Sequence, residues 1–173
     1  TDHYVRVYAI IEYGAKRADG SIKNMGYILH CFNCFHREAT KELFPVKYSV
    51  KCTECNSKLN VAGPLWLGKI SDGEFCELMR KEIEQGRFRI EERMTKILAL
   101  IRNEVEAPIT YYVIDKLCDR LNLPVPSIKR VVEALERESF QVSLTHFSSR
   151  GIKSNAPAMK MREILHRTAS AKR

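Results

Sequence analysis

Four cysteines constrain this chain more than anything else in it. Cys31, Cys34, Cys52 and Cys55 stand in the pattern C-x2-C-x17-C-x2-C. Each C-x2-C pair is a tight knuckle that aims two sulfurs at one point, and the loop between them need only bring the second knuckle back to the first. Four thiolates so spaced close a tetrahedral shell on one Zn2+. Such a shell leaves no open coordination position, so it supports folding and not catalysis. A disulfide reading is weaker, because the sequence opens on no secretory-signal pattern and C-x2-C pairs in an intracellular setting point first to metal or redox chemistry. His30 and His36 flank the first knuckle and are minor substitutes for a cysteine ligand. Cys76 and Cys118 fall among apolar residues in helical patterns and read as small buried hydrophobes.

The charge points to an anionic partner, nucleic acid first: the net charge is +8 and the pI about 9.2. Its distribution says more. Residues 141–173 hold seven basic side chains (Arg150, Lys153, Lys160, Arg162, Arg167, Lys172 and Arg173) against one acid, Glu163, so this tail carries +6 of the +8. No apolar run reaches the ~18 residues of a membrane helix, so a soluble, cytoplasmic protein with no membrane partner is expected. At 173 residues and 45% hydrophobic content the chain has room for one domain or two small ones. Thr1 leads directly into a strand pattern, as the start of a piece cut from a longer protein would.

Hydrophobic periodicity orders the rest. Residues 4–13 alternate as a strand, residues 14–24 form a polar connection, and residues 25–30 form a second strand that delivers Cys31. Residues 37–51 are the loop between knuckles, and residues 59–67 are a third apolar stretch, interrupted by Gly63 and Pro64 and ending near Trp66, read as a core anchor. Ser71-Asp-Gly-Glu74 spells a capping box for a helix with Phe75, Leu78, Met79 and Ile83 on one stripe, stopping near Gly86. A second amphipathic helix from Arg89 carries Ile90, Met94, Ile97, Leu98, Ile101 and Val105, opposite a mixed-charge face that reads as solvated. Ala107-Pro108 ends it.

Beyond that boundary the elements shorten. Thr110 caps a helix with Val113, Ile114, Leu117 and Leu121 inward, and Ser127 caps another with Ile128, Val131, Val132 and Leu135 inward. Residues 140–147 alternate as a strand, residues 148–151 turn, and Pro157 opens a last helix with Met161, Ile164 and Leu165 on its apolar side. Helix, turn, helix and β wing make a winged-helix-like lobe. The expected fold class is therefore α+β: a small mixed α/β lobe with a four-Cys zinc knuckle pair (residues 1–86), a connecting helix (87–107) and a winged-helix-like basic lobe (108–173). That topology also serves as a protein–protein module, so shape alone does not set function. The basic tail favours nucleic acid, because phosphate neutralisation is the usual use of such clustering.

Other chemistry is not spelled here. The glycines never crowd into G-x-G-x-x-G or a P-loop, there is no G-x-S-x-G elbow, and none of His3, His30, His36, His146 and His166 pairs with a cysteine or carboxylate at a telling spacing. No catalytic residue and no cofactor-binding residue is assigned.

Specific strings go further. Asp2-His-Tyr-Val-Arg-Val7, Gly14-Ala-Lys-Arg17, the two cysteine pairs, Ala62-Gly-Pro-Leu-Trp-Leu-Gly68, Leu123-Pro-Val-Pro-Ser127 and Thr145-His-Phe-Ser-Ser-Arg-Gly-Ile-Lys153 resemble, in this order, the C-terminal part of the tRNA (guanine-N2)-dimethyltransferases. Those enzymes convert guanosine 26 of tRNA to N2,N2-dimethylguanosine, and the likeness is to their compact, archaeal-like form. The resemblance implies an N-terminal Rossmann-like domain, absent from this sequence, that binds S-adenosylmethionine and carries catalysis. It implies for this chain a tRNA-positioning part that binds no S-adenosylmethionine and is inactive alone, with tRNA and that N-terminal methyltransferase domain as its partners. Some family members lack the cysteine pairs, which makes the zinc a stabiliser. Lys16, Arg17, Arg150 and Lys153 fall in the resembling strings, and with Lys160, Arg162 and Arg167 they are the candidates for tRNA backbone contact; each alone also reads as a solvated charge. Two alternatives stay open: a stand-alone zinc-ribbon and winged-helix protein of the transcription-factor kind, and a structural module with no nucleic-acid affinity.

Overall fold

The computed structural model describes residues 9–42, 50–86, 89 and 91–170. The first lobe is built on an antiparallel sheet of order β2-β1-β3, with β1 at Met25–His30, β2 at Arg37–Thr40 and β3 at Asn60–Trp66. β1 pairs with β2 from Tyr27↔Thr40 to His30↔Arg37 and with β3 from Met25↔Trp66 to His30↔Asn60. Between Gly26 and Ile28 the register slips, β3 advancing from Ala62 to Leu65 across Gly63-Pro64. Gly63 takes φ 147° there, and a Cβ on it would meet the Tyr27 ring at 2.7 Å and the Gly26 carbonyl oxygen at 2.8 Å, so only glycine fits this bulge. Among the described residues, the lobe's buried cluster is Leu29, Leu59 and the cysteines Cys31, Cys34 and Cys52.

Several expectations change here. Residues 1–8 lie outside the described residues; residues 9–13 of the expected first strand form no strand. Ile10, Ile11 and Tyr13 are 93%, 84% and 92% exposed. The expected polar connection is instead helix α1, Ala15–Ile22, begun where the Arg17 and Ala18 amides donate to the Gly14 carbonyl. It buries no residue, so it leaves no apolar stripe to detect. The loop between knuckles contains β2, whose sequence Arg-Glu-Ala-Thr lacks apolar alternation because it is a sheet edge with little burial. Trp66 is not a core anchor: it is 42% exposed and its indole N–H donates to the Lys69 carbonyl at 3.1 Å.

A helical pair follows, α2 at Gly73–Gln85 and α3 at Glu91–Asn103. Asp72, not Ser71, caps α2, its Oδ1 accepting from the amides of Glu74 and Phe75 at 2.9 and 3.0 Å. Cys76 and Ile83 are the buried residues of α2, while Phe75 and Leu78 face solvent. α3 buries none of its residues; Ile90 of its expected stripe lies outside the described residues.

The second lobe is winged-helix-like. Its elements are β4 (Tyr112–Val113), α4 (Ile114–Leu121), α5 (Ile128–Arg137), β5 (Val142–Thr145), β6 (Ser148–Ser154) and α6 (Ala158–Ser170), with sheet order β4-β6-β5. α4 is entered from β4 at Val113 without a side-chain cap, so Thr110 is not its cap. It ends at Asn122 in the left-handed region, where the Leu123 amide reaches back to the Cys118 carbonyl at 2.9 Å. Ser127 caps α5 as its position predicts, accepting from the Arg130 amide. Residues 148–151 begin β6, and the turn of the wing is His146-Phe147. Ile114, Leu117, Cys118, Val131, Leu135, Ile152, Met161, Ile164 and Leu165 fill the core, essentially without exposure. None of the described helices is long and apolar enough to cross a membrane.

Candidate metal centre and nucleic-acid surface

The two knuckles are built alike. At each, the first cysteine's amide donates five residues on and its carbonyl accepts from the amide four residues on: Cys31 N–H to the His36 carbonyl and Phe35 N–H to the Cys31 carbonyl, both 2.9 Å, then Cys52 N–H to the Ser57 carbonyl at 2.8 Å and Asn56 N–H to the Cys52 carbonyl at 2.9 Å. Phe35 and Asn56 close the two turns at φ 68° and 57°. The result brings all four Sγ atoms within 4.8 Å of one another, with Cys31···Cys55 at 3.4 Å and Cys34···Cys52 at 3.5 Å. Those spacings exceed the ~2.05 Å of a disulfide. With the 4.8 Å upper limit they span the ~3.8 Å edge of a tetrahedron with metal–sulfur bonds of ~2.3 Å, so the donor set fits a soft divalent cation such as Zn2+. Burial pushes the Cys34 thiol up; hydrogen bonds from Ser57, side chain then backbone, and from Asn33 hold Cys55 down at about 5. A bound cation would supply the charge that lets all four ionise together.

The four sulfurs gather without His36, which reads in the sequence as a minor substitute for a cysteine ligand. His36 Nδ1 lies 2.8 Å from Glu54 Oε1, and Glu54, inside the second knuckle, accepts the Met159 amide on its other oxygen at 2.8 Å. The knuckle thereby caps α6, whose entry residue Pro157 has no side-chain acceptor of its own. Arg37 strengthens the same junction: its guanidinium donates to the Tyr111 carbonyl and lies 4.6 Å over the Tyr112 ring.

The seven candidate RNA-contact residues fall on α1, β6 and α6. Lys16 and Arg17 are exposed on α1, Arg17 Nε lying 3.4 Å from Glu12. Arg150 Nε donates to Asp115 at 2.6 Å and its Nη2 to the Pro126 carbonyl at 3.1 Å, tying the wing to the helix-turn-helix. On α6, Lys160 Nζ lies between Glu138 and Glu163 at 3.1 and 2.8 Å, Arg167 Nη2 donates to Glu138 at 2.6 Å, and Arg162 Nη1 lies 3.7 Å from the Met159 sulfur. Lys153 is the correction among them. Its side chain is 3% exposed and its Nζ sits 3.0 Å from Glu104 Oε2, which is itself buried, so its charge is spent inside the lobe.

Glu104 is the residue that sequence reasoning missed. Just past α3, its two carboxylate oxygens accept from Thr145 Oγ1 at 2.8 Å and the His146 amide at 3.1 Å, and pair with His146 Nδ1 and Lys153. Burial alone would push its carboxyl up, but hydrogen bonds from the His146 side chain and backbone, Thr145 and Lys153 outweigh that and hold it below the usual range. The second helix of the helix-turn-helix also carries cations that the pattern did not single out. Lys129 and Arg137 share Glu133 at 4.0 and 3.8 Å, with Arg130 beside them.

Fold and site together define a class: a basic α+β module with a four-cysteine centre joined to a winged-helix-like lobe. Comparison with known proteins narrows it. The family model for N2,N2-dimethylguanosine tRNA methyltransferase matches residues 1–166. The chain is 39% identical over 171 residues to the tRNA (guanine(26)-N(2))-dimethyltransferase of Methanobrevibacter smithii, covering 99% of this chain and 44% of that protein. It is 36% identical over 155 residues to the tRNA (guanine(26)-N(2)/guanine(27)-N(2))-dimethyltransferase of Aquifex aeolicus, covering 88% and 38%. The solved complex of Trm1 from Pyrococcus horikoshii with S-adenosyl-L-methionine is similar over 88% of this chain and 38% of that one, with TM-score 0.70 and 26% identity. This chain belongs to the N2,N2-dimethylguanosine tRNA methyltransferase family. It spans less than half the length of these relatives.

Proposed function

We propose that this chain is the tRNA-positioning part of an S-adenosylmethionine-dependent dimethyltransferase acting on guanosine 26 of tRNA, with Zn2+ on Cys31, Cys34, Cys52 and Cys55 as a structural stabiliser. Methyl transfer belongs to the Rossmann-like N-terminal part that the family implies. The observation that carries this reading is the asymmetry of the match: nearly the whole chain aligns, against 44% of the first relative. A second observation supports it. Among the described residues, the first lobe leaves Ile10, Ile11, Tyr13, Ile22, Val61 and Trp66 in solvent. Exposed apolar side chains of this kind suit contact with another body, and the N-terminal methyltransferase domain is the partner we assign to them. In this division residues 1–86 form the zinc lobe, 87–107 the connecting helix and 108–173 the basic lobe. Lys16, Arg17, Arg150, Lys160, Arg162 and Arg167 remain the phosphate contacts; Lys153 supports the lobe from inside. The test is methyl transfer from S-adenosylmethionine to unmodified tRNA, assayed with this chain alone and with the chain joined to the N-terminal part of a relative. Transfer by the joined protein only is expected, and activity of the chain alone would overturn the division of labour.

A second reading, a stand-alone zinc-ribbon and winged-helix protein of the transcription-factor kind, draws on Lys129, Arg130 and Arg137 along α5, the second helix of the helix-turn-helix. It predicts preference for duplex DNA over tRNA in competition at matched salt.

A further inference from the structure

The turn of the wing is a two-residue reversal, His146-Phe147, where β5 hands over to β6. Such a tip is ordinarily the loosest part of a hairpin, and here it is fixed from beneath. Glu104 accepts from the His146 amide and from Thr145 Oγ1 and pairs with His146 Nδ1, and the Phe147 amide donates to Thr145 Oγ1 at 3.3 Å. The carboxylate doing this is buried together with Lys153. Burying an ion pair brings a desolvation cost that rarely yields net stability, and its best attested return is positional definition.

What the turn holds in place is an aromatic side chain in water. Phe147 is 52% exposed. The Tyr111 ring lies nearly parallel to it, at 11° and 5.9 Å between centroids, and the His146 ring packs against it at 3.9 Å and 36°. β6 passes close enough for this only because residue 151 is glycine: a Cβ there would meet Thr145 Cγ2 at 2.5 Å and the Tyr111 ring at 3.1 Å. A lone exposed phenylalanine needs no explanation. One braced by two further rings, on a turn fixed by a buried carboxylate, is a preorganised flat surface.

We propose that Phe147, backed by Tyr111 and His146, is a stacking platform for an unpaired nucleobase of the bound RNA. The proposal rests on the tRNA reading above and adds a site that none of the basic residues supplies. Base–aromatic stacking is sequence-tolerant and needs a base out of its helix, which tRNA offers at loops and junctions. A platform whose rings are already ordered loses little entropy when a base lands on it.

The test is binding of this chain to an unmodified tRNA transcript and to a fully paired RNA duplex, across salt. Phe147→Ala should weaken tRNA binding roughly ten-fold, the scale of one stacked base, and leave duplex binding unchanged. The salt slope should stay put, because stacking releases no counterions. Phe147→Leu keeps the apolar bulk and loses the π face, so it should behave as Phe147→Ala does. Phe147→Trp, made with Trp66→Phe so that one indole reports, should bind as wild type and be quenched by tRNA. Leucine binding as well as phenylalanine would overturn the proposal in favour of apolar docking to a protein. So would Phe147→Ala binding within two-fold of wild type while wild type binds tRNA normally. Failure of the wild-type chain to bind tRNA would instead bring down the tRNA reading, and this platform with it.

Discussion

Lys153 shows how a residue can carry the right charge and the wrong role. Its place in a basic tail made it a phosphate contact on paper, yet its ammonium faces Glu104 inside the lobe. Breaking such a pair from one side strands a buried charge. Lys153→Ala or Glu104→Ala should therefore cost about 3 kcal/mol of unfolding free energy in urea. Lys160→Ala, on the surface of α6, should leave the midpoint where it was. The pH dependence follows from Glu104. Its folded carboxyl is held below the ordinary value of 4.5, so the stabilisation is fully present above that pH and is lost as pH falls through the lower folded value. Stability measured from pH 6 down to pH 3 should fall more steeply in wild type than in Glu104→Gln, and parallel curves would count against the cluster. None of this was legible in the sequence, where Glu104 sits in an ordinary mixed-charge run; the contact that distinguishes it is made by a hairpin some forty residues on.

At the scale of elements, local signals were read well and distant ones not at all. β1, the Ser127 cap, the Gly86 stop and the apolar side of α6 were visible because each is decided by neighbours in sequence. Asp72 stood one residue from the expected cap, since Ser71 and Asp72 both spell one and only geometry chooses. α1 and β2 escaped because neither buries a face. The cap of α6 could not have been found by spacing: Glu54 reaches the Met159 amide from 105 residues away. We predict that Glu54→Ala lowers stability by about 1 kcal/mol, the usual worth of a helix cap. Amide exchange should quicken at the first turn of α6 while α4 and α5 keep their protection. Unchanged exchange at Met159 would mean the contact carries no stability.

At the scale of the whole molecule, a four-cysteine cluster is joined to a basic lobe. The four cysteines were legible because their spacing is local, and the Glu54 contact that joins their knuckle to the second lobe was not. One equivalent of Zn2+ should bind, and Cys52→Ser should abolish that stoichiometric binding. Stripping the metal with a strong chelator should lower the thermal midpoint and loosen α6 along with the knuckles, because the Glu54 cap is held by the second knuckle. A chelator-treated protein that melts as before would make the cysteines ordinary core residues. The central claim is that this chain holds tRNA by its phosphates, and it is tested most directly by titrating unmodified tRNA into the chain at stepped salt, with duplex DNA as competitor. Log affinity that falls linearly with log salt, with tRNA preferred over duplex DNA and a shallower slope when Lys16 and Arg17 are neutralised, is the result predicted; a flat salt dependence, or a preference for duplex DNA, would contradict it.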